Sequence, residues 1–145
     1  MWKIILTIIL TSAFFILFFE PNWNSKNKRV GVAIGEKILD LYFLNKNGYI
    51  ICHDMNPPTE KHQAVPRPMN QRQWNGDCWK AWTQIRTERN DLTMHVVDMD
   101  WGCGVIKFGD QQRLLIDIDK LNYEFLENNR KSVLNLISTE DFLNL

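Results

Sequence analysis

Hydrophobic and polar positions along this chain fall into three kinds of run. The first is residues 4–19, IILTIILTSAFFILFF, which carry no charge and only Thr7, Thr11 and Ser12 as mild interruptions. As a helix, 16 to 19 residues at about 1.5 Å each reach roughly 24–28 Å, close to the ~30 Å apolar core of a bilayer. Trp2 and Lys3 supply an interfacial anchor and a snorkelling cation. The residues after the run, Phe18-Phe19-Glu20-Pro21-Asn22-Trp23, offer no small-residue cleavage site. The pattern therefore predicts an uncleaved signal anchor over residues 1–20, with a cleaved signal and a buried soluble helix as the alternatives. Lys26, Lys28 and Arg29 follow the run and only Lys3 precedes it. The positive-inside rule then puts the C-terminal domain in the cytoplasm behind a single membrane pass. Residues 21–29 are polar, contain a proline, and read as a linker.

The second kind of run is helical. Ile38, Leu39, Leu41, Tyr42 and Leu44 form a stripe over residues 36–44, closed by Asn47-Gly48. Asn75-Gly76-Asp77 opens a second helix that continues to Arg89, with Cys78, Trp82 and Ile85 on one face. Further helices are predicted over residues 121–129 and after Ser138, where Asp141 stands three positions on as in a capping box. The third kind is β-like. Residues 30–34 (VGVAI), 49–52 (YIIC), 93–97 and 105–108 are candidate strands. The YIIC run has no alternation and predicts a strand buried on both faces. The last two strands flank a turn over residues 98–104 and predict an antiparallel hairpin. Between residues 55 and 74 lies a long loop with Pro57, Pro58, Pro66 and Pro68.

Composition narrows the classes. The chain has 145 residues with 17 Lys+Arg against 17 Asp+Glu. One domain is expected, and a chain so balanced has no global field to hold nucleic acid. Cys52, Cys78 and Cys103 are odd in number and far apart, which argues against a disulfide framework or a zinc site; they read as small buried hydrophobes. Trp74, Trp79 and Trp82 read as packing residues.

The chemistry-bearing candidates begin at the end of the YIIC strand. Open α/β sheets bind ligands outside the carboxyl ends of their strands, and there stand His53 and Asp54. His53 is a natural general base, with Asp54 beside it. Asp77, Asp98 and Asp100 are candidates for the same cleft, where with His53 and Asp54 they could hold a hard divalent cation. The plainer reading is helix-terminal charge for Asp77 and turn chemistry for Asp98 and Asp100, and no metal site is assigned. Lys61, Arg67 and Arg72 make the proline-rich loop basic.

Three blocks in order, NGYIICHDMNPPTE, WNGDCWKAW and VVDMDWGCGVIKFG, together with the closing NLISTEDF, resemble the C-terminal half of class I S-adenosylmethionine-dependent methyltransferases. The resemblance covers residues 36–145. It implies a seven-stranded Rossmann-like sheet whose last two strands form the hairpin, with His53, Asp54 and Asp77 as catalytic candidates. It also implies what is missing. Only about 14 residues separate Gly35 from the strand that ends at His53. Strands two to four, and the cofactor site they carry in that family, have no room, and Gly31 and Gly35 cannot stand in for it.

The expected fold is thus α/β. It is a partial Rossmann-like methyltransferase sheet over residues 30–145, made of the last strands and the C-terminal hairpin, preceded by a transmembrane-like helix. The expected function is a membrane-anchored, truncated methyltransferase-like protein that is not catalytically active on its own. One alternative is an active methyltransferase completed by a partner chain that brings the S-adenosylmethionine half. Another is a membrane-tethered interaction protein that assembles as a homo- or hetero-oligomer through an exposed sheet edge.

Overall fold

A computed structural model describes residues 47–145. The transmembrane-like run, the linker and the predicted strand and helix at residues 30–34 and 36–44 lie outside the described residues. Among the described residues no helix is long and apolar enough to cross a membrane.

The chain order is β1 (Ile50–Cys52), α1 (Glu60–Gln63), α2 (Cys78–Glu88), β2 (Leu92–Val97), β3 (Cys103–Phe108), a 3-10 turn (Ile118–Lys120), α3 (Tyr123–Leu134), β4 (Leu136–Ile137) and α4 (Thr139–Leu143). The strands form one mixed sheet in the order β1-β3-β2-β4. The predicted hairpin is β2–β3, antiparallel, with Met94 opposite Ile106 and Val96 opposite Gly104. Its second strand also pairs antiparallel with β1, Ile51 opposite Val105. β4 joins the other edge parallel to β2.

Alternation in the hairpin explains the core. Leu92, Met94, Val96 and Ile106 are at most 1% exposed and share a face with Gly104, so they point to one side of the pleat. Trp79, Trp82, Ile85, Leu126, Val133 and Leu134, from α2 and α3, complete that core. Each such side chain contributes about 1.5–3 kcal/mol by leaving water. The indoles also staple. Trp82 donates its Nε1–H to the Leu134 carbonyl at 3.2 Å. Trp79 donates to Gln63 Oε1 at 2.6 Å, and Trp74 to the Ala64 carbonyl at 2.7 Å. Buried Arg86 reaches from α2 to the Ser132 and Val133 carbonyls, placing a cation where the α3 dipole is negative.

Four expectations are corrected. β1 is not buried on both faces: Ile50 and Ile51 are half-buried and Tyr49 is 48% exposed. The proline-rich stretch is not structureless, since α1 forms within it and is tied down by Trp74 and Trp79. The helix expected over residues 121–129 starts at Tyr123 behind an Asn122 cap and continues to Leu134 across non-helical backbone at Asn129. It stops at Asn135, whose left-handed φ of 50° turns the chain straight into β4, a strand too short to show periodicity. Only Cys52 of the three unpaired cysteines is fully buried; Cys78 and Cys103 are partly exposed.

Two tests follow from the packing. Gly102 has φ +89°, and a Cβ there would collide with Asn56. Gly102→Ala is therefore expected to destabilise the fold by roughly 1–3 kcal/mol or more, read as a lower urea midpoint for the full chain in non-ionic detergent. Burial pushes the Cys52 and Cys78 thiols up to about 12, helped at Cys52 by the neighbouring thiols and at Cys78 by Asp77 and Asp54. Iodoacetamide at mildly alkaline pH is then expected to label Cys103 first, with Cys52 and Cys78 protected until the chain is unfolded, as peptide mass spectrometry would show.

Candidate functional site

The site is made where the chain leaves β1 and crosses the hairpin turn. Asp54, Asp100 and Trp101 all have positive φ (67°, 40° and 66°), as does Gly102. Left-handed backbone at three non-glycine residues is uncommon and persists where the surroundings enforce it. Here they do so through two backbone bonds, Met55 N–H to the Gly102 carbonyl (3.1 Å) and Asn56 N–H to the Trp101 carbonyl (2.8 Å). These lay the segment after β1 along the turn and bring His53 to Asp100.

His53 then stands between two carboxylates. Its Nδ1 is 3.2 Å from Asp54 Oδ1 and its Nε2 is 3.1 Å from Asp100 Oδ2. Asp54 Oδ1 also accepts from Asn75 Nδ2 at 2.9 Å. Asn75 is held in turn by its own N–H, which with that of Gly76 donates to the His62 carbonyl at 2.9 and 3.1 Å. The His62 ring packs on Trp101 with centroids 5.0 Å apart, and its Nδ1 shares a hydrogen bond with Thr59 Oγ1.

A second layer fixes the segment that follows. Asn56 Nδ2 donates to Asp98 Oδ1 at 3.1 Å. Arg130, from α3, donates to Asn56 Oδ1, to the Pro57 carbonyl (2.9 Å) and to Tyr123 Oη (3.2 Å). Tyr123 donates to the Pro58 carbonyl at 2.7 Å. The Asn56-Pro57-Pro58 stretch is thereby clamped between the hairpin and α3.

Of the residues singled out in the sequence, His53, Asp54 and Asp100 come together, and Asp98 stands one link away through Asn56. Asp77 goes elsewhere. It precedes α2, makes no side-chain capping bond, and pairs with Lys80 at 3.5 Å. It lines a cavity of about 340 Å³ with Glu60, Gln63, Ala64, Val65 and Lys80, away from His53. The basic Arg67 is spent on the carbonyls of Gln71 and Arg72 within its own loop. No group of three His, Cys, Asp or Glu among the described residues is arranged to hold a metal ion. Sequence reasoning missed Asn75, Asn56, Arg130 and Tyr123. Asn75 was in view as part of a helix start, but nothing in a lone asparagine says that it holds a carboxylate 21 positions earlier.

The electrostatics favour the protonated form of the His53 imidazole. Burial alone would lower the His53 pKa and is the largest single influence. The hydrogen bond to Asp100, the charge and hydrogen bond of Asp54, and the charge of Asp100 together outweigh it, and the pKa stands above 6.5. His95 behaves oppositely. Burial, then Lys107 and Arg86, lower its pKa, and it accepts from Asn135 Nδ2 on Nδ1 as a neutral ring.

Because the folded His53 binds its proton more tightly than the unfolded chain does, its contribution to stability is full below pH 6.5. That contribution fades as pH rises through the folded pKa. Asp100→Asn is expected to lower the His53 pKa, followed by the imidazole resonances in an NMR titration, and to flatten the pH dependence of stability above 6.5. Comparison with protein-family models, curated proteins and solved structures found no match.

Proposed function

We propose that this chain is a methyltransferase-like half-domain tethered to a membrane by its apolar N-terminal run, with the folded part in the cytoplasm, and that it does not catalyse methyl transfer on its own. The observation that carries the reading is that the three resembling blocks meet in space. The His53-Asp54 step of the first touches Asn75 of the second and Asp100 of the third. The hairpin that the resemblance implies is also present, with β3 lying against β1. A general base held by carboxylates at the carboxyl end of a strand is suited to taking a proton from a methyl acceptor.

The residues present do not fit the cofactor. In the resembling family S-adenosylmethionine is held by a Gly-rich loop after strand one, an acidic residue ending strand two and polar residues after strand four. The described residues contain none of these elements, and the stretch between Gly35 and β1 is too short for them. S-adenosylmethionine chemistry is therefore assigned to this chain only in company with a partner chain that supplies that half. A second reading, a membrane-tethered interaction protein, draws on β1, which pairs with one strand only among the described residues and leaves an edge on which another chain can add.

Calorimetric titration of S-adenosylmethionine into the full chain in dodecyl maltoside is expected to give no binding heat, in a sample whose circular dichroism shows it to be folded. Micromolar binding would overturn the half-domain reading and make His53→Gln the first variant to assay.

A further inference from the structure

We infer that the cavity between α1 and the start of α2 binds a neutral polyhydroxyl ligand of the monosaccharide class. The inference goes beyond the half-domain reading and does not rest on it.

Trp79 holds the polar lining of this cavity in place. Its indole is fully buried, and its Nε1–H donates to Gln63 Oε1 at 2.6 Å. The Lys80 ammonium lies 5.9 Å from the centroid of the same indole and 3.5 Å from Asp77 Oδ2. Ala64, another lining residue, is fixed by the Trp74 indole on its carbonyl. Glu60, the first residue of α1, completes the polar set. The volume, about 340 Å³, falls at the lower end of the roughly 300–1,000 Å³ typical of small-molecule sites.

Gln63 supplies the observation that asks for a ligand. It is 9% exposed and lines the cavity. An indole N–H only donates, so the amide turns its oxygen to Trp79 and its Nε2 the other way. Among the described residues Nε2 makes no hydrogen bond, yet the sealed polar atoms without a partner are Asn75 Oδ1 and Arg86 Nε, and not this one. Nε2 therefore opens on space, and the space that Gln63 lines is the cavity. A buried amide, held at its oxygen end, thus aims unmatched N–H groups into it.

The lining sets the chemistry of the ligand. Gln63 Nε2 and Lys80 Nζ only donate, and the carboxylates of Glu60 and Asp77 only accept. Glu60 makes no ion pair among the described residues. An anion would meet two carboxylates, and a cation would meet the ammonium and leave Gln63 unmatched. An apolar ligand would strip water from all four groups and return no hydrogen bond. A hydroxyl donates and accepts from one oxygen, so it bridges a donor and an acceptor as close as Lys80 and Asp77. A carboxamide keeps those two functions on separate atoms. Neighbouring hydroxyls on one small ring match two donors and two acceptors together.

The probe is methyl α-D-glucopyranoside, titrated at neutral pH into the full chain in a polyoxyethylene detergent, which has no sugar head group to compete. The Trp79 indole N–H, bonded to the Gln63 amide, is the reporter in heteronuclear NMR, and that of Trp82, bonded to Leu134, is the internal reference. A saturable shift of Trp79 with Trp82 unmoved is expected, with a dissociation constant of roughly 1–10 mM as suits so small a ligand. Acetate, ethylammonium and tetrahydropyran, an ether that cannot donate, are expected to leave Trp79 unmoved. Gln63→Glu keeps an acceptor for Trp79 and removes the donor; Glu60→Ala removes a carboxylate at an exposed residue. Each is expected to weaken binding about tenfold. Should Gln63→Glu fold poorly by circular dichroism, Glu60→Ala carries the test. No response to the glucoside would overturn the inference, as would an unweakened response in the folded variants. An equal shift from any of the three controls, or tighter binding of acetamide, would overturn the polyhydroxyl assignment. None of these outcomes depends on S-adenosylmethionine, so the inference and the half-domain reading fail separately.

Discussion

Two backbone hydrogen bonds, from Met55 and Asn56 to the Gly102 and Trp101 carbonyls, hold together most of what is distinctive here. β1 alone is three residues long and pairs with one strand among the described residues. Such a strand has little to fix its direction of exit. By extending the contact past the end of β1 onto the turn of the hairpin, the two bonds set the path of the chain. They also account for the left-handed backbone at Asp54, Asp100 and Trp101, a conformation that aspartate tolerates and that a tryptophan adopts only when its surroundings enforce it. Gly102 is part of the same arrangement, because the Asn56 backbone occupies the space where a side chain would be.

The helices act on this junction from behind. α2 carries Trp79 and Trp82, whose indole N–H groups reach Gln63 at one end and Leu134 at the other. One helix thus ties the proline-rich segment and the end of α3 to the sheet. α3 answers with Arg130 and Tyr123 on the Asn56-Pro57-Pro58 segment. The site is open and part-exposed, yet each backbone segment that builds it is anchored to a buried element. An imidazole can keep two carboxylates close under those conditions, because the geometry is set by the scaffold and not by the weak attraction of exposed charges.

Much of this was legible in the sequence. The Leu92–Val97 and Cys103–Phe108 hairpin follows from alternation across a turn-rich gap, and α2 from the Asn75-Gly76-Asp77 start and its apolar stripe. His53 and Asp54 could be singled out because they stand at the carboxyl end of an apolar run. The rest depends on contacts between distant positions. Asp98 and Asp100 were in view, but only three-dimensional packing decides that Asp100 meets His53 while Asp98 meets Asn56. Asp77 carries the same local credentials and faces a different cavity, with Lys80. Arg130 sits in an ordinary polar helix surface pattern, and its role is invisible without the loop it clamps. α1 and β4, at four and two residues, are too short for any period to register.

The sequence separations inside this corner set the order in which it can come into being. His53 and Asp100 are 47 positions apart, and Asn56 and Arg130 are 74 apart. Loop-closure entropy favours nearby contacts first, so the hairpin and the individual helices can form early, while the corner must wait for both ends of the folded region to arrive. A nascent chain from which Asp100 has emerged and Arg130 has not holds every residue of the carboxylate–imidazole cluster but lacks the clamp that fixes its loop. Until that arginine emerges, the cluster is a set of neighbours without a frame.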